Sequence, residues 1–104
     1  MSIAAKFEIE YLQYLDAEGK QVRKDLPAFA KDLDHMVELY KLMMSTRVFD
    51  AKSVALQRTG KLGTYASCLG HEAAHVGIGS AMKPEDVLAV SYREYGAQLY
   101  RGVQ

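Results

Sequence analysis

Residues 34–60 read DHMVELYKLMMSTRVFDAKSVALQRTG, and the spacing of their apolar side chains decides what this chain builds. Met36, Leu39, Tyr40 and Met43 recur at intervals of three and four, the period of one helix face. The stretch continues through Phe49, Val54 and Leu56 as far as Gly60, a natural helix terminator. Asp32 or Asp34 can cap the start, because a carboxylate there accepts bonds from free backbone amides. The pattern predicts a helix of about 24 residues, roughly 36 Å long at 1.5 Å per residue. Such a helix suits a large subunit or an oligomer better than a small isolated domain.

Downstream, residues 60–70 form a loop with glycines at 60, 63 and 70 around Thr64, Tyr65 and Ser67. A second helix is expected over residues 71–82. Its Ala73, Ala74, Gly77, Gly79, Ser80 and Ala81 leave little side-chain bulk, so another backbone can approach closely. Each internal glycine costs about 1 kcal/mol of helix propensity, which close packing offsets. Lys83-Pro84-Glu85-Asp86 breaks the helix, Val87–Val90 reads as a short buried strand, and residues 92–101 as a third helix. Upstream, Phe7, Ile9 and Tyr11 alternate with Lys6, Glu8 and Glu10, the period-two signature of a half-buried strand. Turn residues 16–19 follow, and residues 21–23 are suited to return as a short second strand. Residues 1–31 therefore read as an N-terminal arm with a short strand or hairpin, and the main domain begins at residue 32.

The chain has 104 residues, with 13 basic and 13 acidic side chains. That balance provides no field to draw nucleic acid or an anionic membrane. No apolar run approaches the ~20 residues that span a bilayer, and residues 1–6 lack the pattern of a secretory signal. The expected location is cytoplasmic. The single cysteine, Cys68, excludes an internal disulfide framework and reads as a small buried apolar residue rather than a nucleophile beside His71 or His75.

His71-Glu72-Ala73-Ala74-His75 matches the zinc-peptidase pattern HExxH, which sets two imidazoles on one helix face with a glutamate as general base. The extended form also needs glycine at 78 and histidine at 81, where Ile78 and Ala81 stand. Gly70 places the first histidine at the very start of the helix. A third ligand would have to be Glu94. The competing reading puts Glu72 near a helix amino terminus, where negative charge is favoured, with His75 packed or interfacial and His35 in the long helix's first turn.

Three blocks, taken together, carry a more specific signal. The first is Leu39-Tyr40-Lys41-Leu42-Met43 followed by Thr46-Arg47-Val48-Phe49-Asp50. The second is Gly60-Lys61-Leu62-Gly63-Thr64-Tyr65-Ala66, then Gly70-His71-Glu72-Ala73-Ala74-His75-Val76-Gly77. The third is Pro84-Glu85-Asp86 leading to Ser91-Tyr92-Arg93-Glu94-Tyr95-Gly96. In this order and spacing, over residues 33–104, the chain resembles the start of the alpha subunit of 2-oxo acid dehydrogenase E1 components. The resemblance implies the N-terminal, mostly helical part of a three-layer α/β fold that binds thiamine diphosphate, with residues 32–104 as the first part of that domain. It further implies thiamine diphosphate and magnesium as cofactors, an E1 beta subunit as partner in an alpha2beta2 heterotetramer, and the lipoyl domain of E2 as acyl acceptor.

By the same resemblance, Tyr92 and Arg93 contact the cofactor, Arg93 at its diphosphate. A planar guanidinium suits that task because it forks onto phosphate oxygens. Tyr65 and Ala66 fall where family members line the substrate end of the pocket, although some pyruvate enzymes carry histidine where Ala66 stands. No catalytic residue and no metal ligand is assigned: the carboxylate that activates the aminopyrimidine belongs by family to the beta subunit. The family's magnesium motif, Gly-Asp-Gly followed by asparagine, has no counterpart, since the sequence holds no Gly-Asp pair and no asparagine. The expectation is thus a truncated alpha subunit of pyruvate dehydrogenase type, inactive alone. The alternatives are the branched-chain or acetoin enzymes, a zinc peptidase, or a non-catalytic packing fragment.

Overall fold

The computed structural model describes all 104 residues. The chain forms two units, Met1–Lys31 and Asp32–Gln104.

In the first unit the expected strand over residues 7–11 does not form. A strand is held by a ladder of bonds to a neighbour, and none runs beside this segment; Phe7, Ile9 and Tyr11 all lie exposed. What does form is a tight reversal between Tyr14 and Val22. The Asp16 carboxylate accepts from the amides of Glu18 (3.0 Å) and Lys20 (2.8 Å). Gly19 takes the left-handed backbone at φ +78°, which glycine adopts at no steric cost. Leu15 and Gln21 make a single antiparallel bridge. A short 3-10 helix, Ala28–Lys31, follows Pro27.

The second unit is three helices: α1 (Leu33–Arg58), α2 (Glu72–Ala81) and α3 (Tyr95–Tyr100). Helix α1 has 26 residues, hence a length of about 39 Å. Asp32 caps it by accepting from the His35 amide at 3.1 Å. At the other end Gly60 turns left-handed at φ +73°, letting the Gly60 and Lys61 amides bond the carbonyls of Gln57 and Leu56.

The buried residues of α1 are small and polar: Thr46, Asp50 and Ser53. Thr46 returns its hydroxyl to the Leu42 carbonyl at 2.7 Å, so it needs no outside partner. Even the largest fully buried side chains are compact ones, Val76, Thr46 and Cys68. Helix α2 meets α3 through Gly79, where an added Cβ would stand 2.9 Å from the Tyr100 Cβ. Close approach at that glycine is what its lack of a side chain permits.

Two expectations need correction here. Residues 87–90 are not a strand; no segment offers them a ladder, and Val87 is 89% exposed. Helix α3 begins at Tyr95 rather than Tyr92, because Glu94 folds its carboxylate back onto the Ser91 amide and hydroxyl (both 2.9 Å). Those bonds hold residues 91–94 in a bend. The unit is therefore helical without strands. No helix is long and apolar enough to cross a membrane.

Candidate cofactor and substrate site

The centre of the site is a residue to which the sequence reading gives no role. Asp50 lies on the inner face of α1 and is 3% exposed. Its Oδ1 accepts from the Tyr65 hydroxyl at 2.8 Å and the Cys68 amide at 2.7 Å; its Oδ2 accepts from the Ser67 hydroxyl at 2.7 Å. Burial alone would raise this carboxyl's pKa. The donors from Ser67, the Cys68 amide and Tyr65 outweigh burial, and the pKa ends below its ordinary value. Asp50 is therefore a buried anion satisfied by hydrogen bonds from one short loop rather than by an ion pair.

The same loop explains the neighbouring shifts. Burial, reinforced by the Asp50 charge and its hydrogen bond, pushes the Tyr65 phenol well up. Burial next to the same carboxylate lifts the Cys68 thiol to about 11. A thiol so held is neutral at physiological pH and a poor nucleophile. Cys68 is fully buried, so the small-apolar reading holds.

Tyr65 is half-buried and stacks on Tyr95 with ring centroids 5.1 Å apart, while Phe49 closes the cluster at 5.5 Å from Tyr95. Ala66 is half-buried beside it. Arg93, in the bend before α3, donates from Nη1 to the Ser67 carbonyl and lies over the Tyr92 ring at 5.1 Å. Tyr92 itself is 63% exposed. The structure thus brings Arg93 to the loop that carries Tyr65 and Ala66, although 26 residues separate Arg93 from Ser67. The Arg93 Nε and Nη2 have no partner within the chain.

An ion pair steadies the loop's far end. Arg47 of α1 donates to the Glu72 carboxylate, whose other oxygen accepts from the Gly70 amide at 3.0 Å. The Arg47 bond holds the Glu72 pKa below its ordinary value against the effect of burial. Glu72 is buried and committed to these donors, so it is not poised as a general base for the HExxH pattern. His71 and His75 do approach, with ring centroids 5.1 Å apart. His75 Nδ1 is buried without a hydrogen-bond partner, and no group of three His, Cys, Asp or Glu side chains is placed to hold a metal ion. The glutamate of the His–Glu–His motif anchors a loop to α1.

Comparison with known proteins places this sequence in a family. The family model for the dehydrogenase E1 component matches residues 40–104. Among curated proteins, the pyruvate dehydrogenase E1 component subunit alpha of Staphylococcus epidermidis is 35% identical over 99 residues. The protein of the same name from Staphylococcus aureus is likewise 35% identical over 99 residues. Each alignment covers 95% of this chain and 26% of the relative, so the chain spans about a quarter of the length of the curated relatives it matches. No solved structure matches it significantly. The aligned region takes in the Arg47–Glu72 pair, the Asp50 loop and the Tyr92–Arg93 bend, and on this match the chain belongs to the dehydrogenase E1 component family.

Proposed function

We propose that this chain is part of the alpha subunit of a pyruvate dehydrogenase E1 component, contributing Tyr92 and Arg93 to a thiamine diphosphate site and Tyr65 and Ala66 to its substrate end. The observation that carries the reading is the state of Arg93. Its guanidinium is half-buried, backed by the Tyr92 ring and anchored by one nitrogen to the Ser67 carbonyl. Nε and Nη2 remain for phosphate oxygens, and charge-assisted bonds of that kind are the strong ones. The residues present therefore fit a diphosphate.

Thiamine diphosphate, when bound, supplies the carbon nucleophile and electron sink for decarboxylating a 2-oxo acid. The chain's own residues bind and orient. Arg93 holds the diphosphate charge, Tyr92 keeps the guanidinium plane fixed, and Tyr65, locked by Asp50 and Tyr95, forms a rigid wall. The Tyr65 phenol, its pKa pushed up by burial and by Asp50, stays protonated and serves as a hydrogen-bond donor to that carboxylate. The residues present do not fit a magnesium site; in this reading the ion takes its protein ligands from elsewhere in the assembly. The partners are an E1 beta subunit in an alpha2beta2 heterotetramer and the lipoyl domain of E2. Leu33, Val37, Tyr40, Met44 and Val48, at spacings of three and four along α1, are 47–75% exposed. A continuous apolar stripe of that size is expected to be covered by further protein. Both relatives are pyruvate dehydrogenase alpha subunits, which supports pyruvate over a branched-chain 2-oxo acid or acetoin.

The test is cofactor titration of the full-length subunit assembled with its beta partner. Arg93→Ala removes charged hydrogen bonds of about 1.5–3 kcal/mol, so the Kd for thiamine diphosphate rises roughly ten- to hundredfold. An unchanged Kd removes Arg93 from the site and with it this reading.

A further inference from the structure

We propose that Asp50 is a positioning residue for the cofactor site: by clamping residues 65–68 onto α1, it places the Ser67 carbonyl that holds Arg93. The inference rests on the reading of Arg93 as a diphosphate contact and adds a residue to it.

A buried carboxylate is costly unless bonded, and apolar residues of like volume pack a helix against a loop at least as stably as a buried charge does. Asp50 makes no ion pair. All its bonds instead come from three of four consecutive loop residues, two from side chains and one from a backbone amide. That arrangement fixes the loop's direction and register, which apolar packing alone would leave free to slide.

The effect passes to Arg93 by two routes. Ser67 is held at both ends: its hydroxyl donates to Asp50 and its carbonyl accepts from Arg93. Tyr65 donates to Asp50 and stacks on Tyr95, the first residue of α3, two positions after Arg93. One carboxylate on α1 therefore sets the placement of both the wall residue and the cofactor-binding guanidinium.

The test is a double-mutant cycle on thiamine diphosphate affinity, in the presence of magnesium, in the assembled E1 enzyme. Asp50→Asn keeps the side chain's size but replaces one accepting oxygen by a donor. It is expected to weaken binding roughly tenfold, the effect of about one misplaced hydrogen bond. Combined with Arg93→Ala it should add little to the loss that Arg93→Ala causes alone, because Asp50 acts through Arg93. A merely structural aspartate gives losses that multiply, and that outcome, or a silent Asp50→Asn, overturns the inference. A silent Arg93→Ala instead overturns the function proposed above, so the two failures are distinguishable. Should Asp50→Asn not assemble, Ser67→Ala replaces it in the same cycle; it breaks one clamp bond and leaves the carbonyl to which Arg93 donates.

Discussion

Two glycines in α2, two residues apart, are expected to respond to the same substitution with opposite signs. Both are interior helical positions, where alanine gains about 1 kcal/mol over glycine. Around Gly77 nothing lies within 4 Å of an added Cβ. Gly77→Ala should therefore stabilise the chain by about that amount. At Gly79 an added Cβ meets the Tyr100 Cβ at 2.9 Å and its Cγ and Cδ1 at 3.2 Å, inside the roughly 3.5–4.0 Å at which carbon atoms attract. The nearest of these atoms is bonded directly to the backbone of α3, so no rotamer change relieves it. Helices α2 and α3 must part, and overpacking of this kind costs about 1–3 kcal/mol. That exceeds the propensity gain and leaves Gly79→Ala destabilising by about 1 kcal/mol. For a domain this small each kcal/mol moves the midpoint by roughly 4–8 °C, so the two variants should melt on opposite sides of the parent. Thermal unfolding followed by far-ultraviolet circular dichroism measures both. If Gly79→Ala stabilises as much as Gly77→Ala, α2 and α3 do not pack as described.

Further outcomes follow from the buried groups. Asp50 and Glu72 both have pKa values lowered on folding, against ordinary values of 3.8 and 4.5. A depressed pKa gives stability that is complete above the unfolded value and is lost as pH falls through the folded one. Urea midpoints should thus be flat from neutral pH to about 5 and fall steeply below about 4, with a shallower acid limb in Asp50→Asn; an acid limb unchanged in that variant contradicts the assignment. Cys68, buried with its pKa raised to about 11, should react with a soluble thiol reagent at pH 8 only after denaturant is added. Fast labelling of the folded chain would show the 65–68 loop to be loose.

The helices were legible because their signals are local. Asp32 and Gly60 bracket α1, the three-and-four spacing fills it, and the small residues of α2 announced a close neighbour, found at Gly79. The strands were not legible in the same way. Alternation over residues 6–11 and the apolar run at 87–90 describe side chains suited to a sheet, but a ladder needs a partner that local pattern does not specify. The start of α3 was misplaced because Ser91 and Glu94 make a bend whose bonds cannot be told from a helix's first turn by composition. Arg93 and Tyr65 were singled out only through family resemblance, since each alone reads as a surface cation and an ordinary core ring. Asp50 closes one of the resembling blocks, yet nothing local gives it a role. One acid on a long helix looks like a solvated residue, and its importance rests on a loop 15 to 18 residues away. Its one sequence signal is position: Asp50 stands four residues after Thr46 and three before Ser53, on the line of small polar residues that α1 buries.

The account depends most on where the Arg93 guanidinium points in the complete enzyme. An experimental structure of the assembled E1 component with thiamine diphosphate and magnesium should place Nε or Nη2 of Arg93 about 2.7–2.9 Å from a diphosphate oxygen, the length of a charge-assisted bond, with Nη1 still on the Ser67 carbonyl. A diphosphate bound with Arg93 facing away from it would contradict the account.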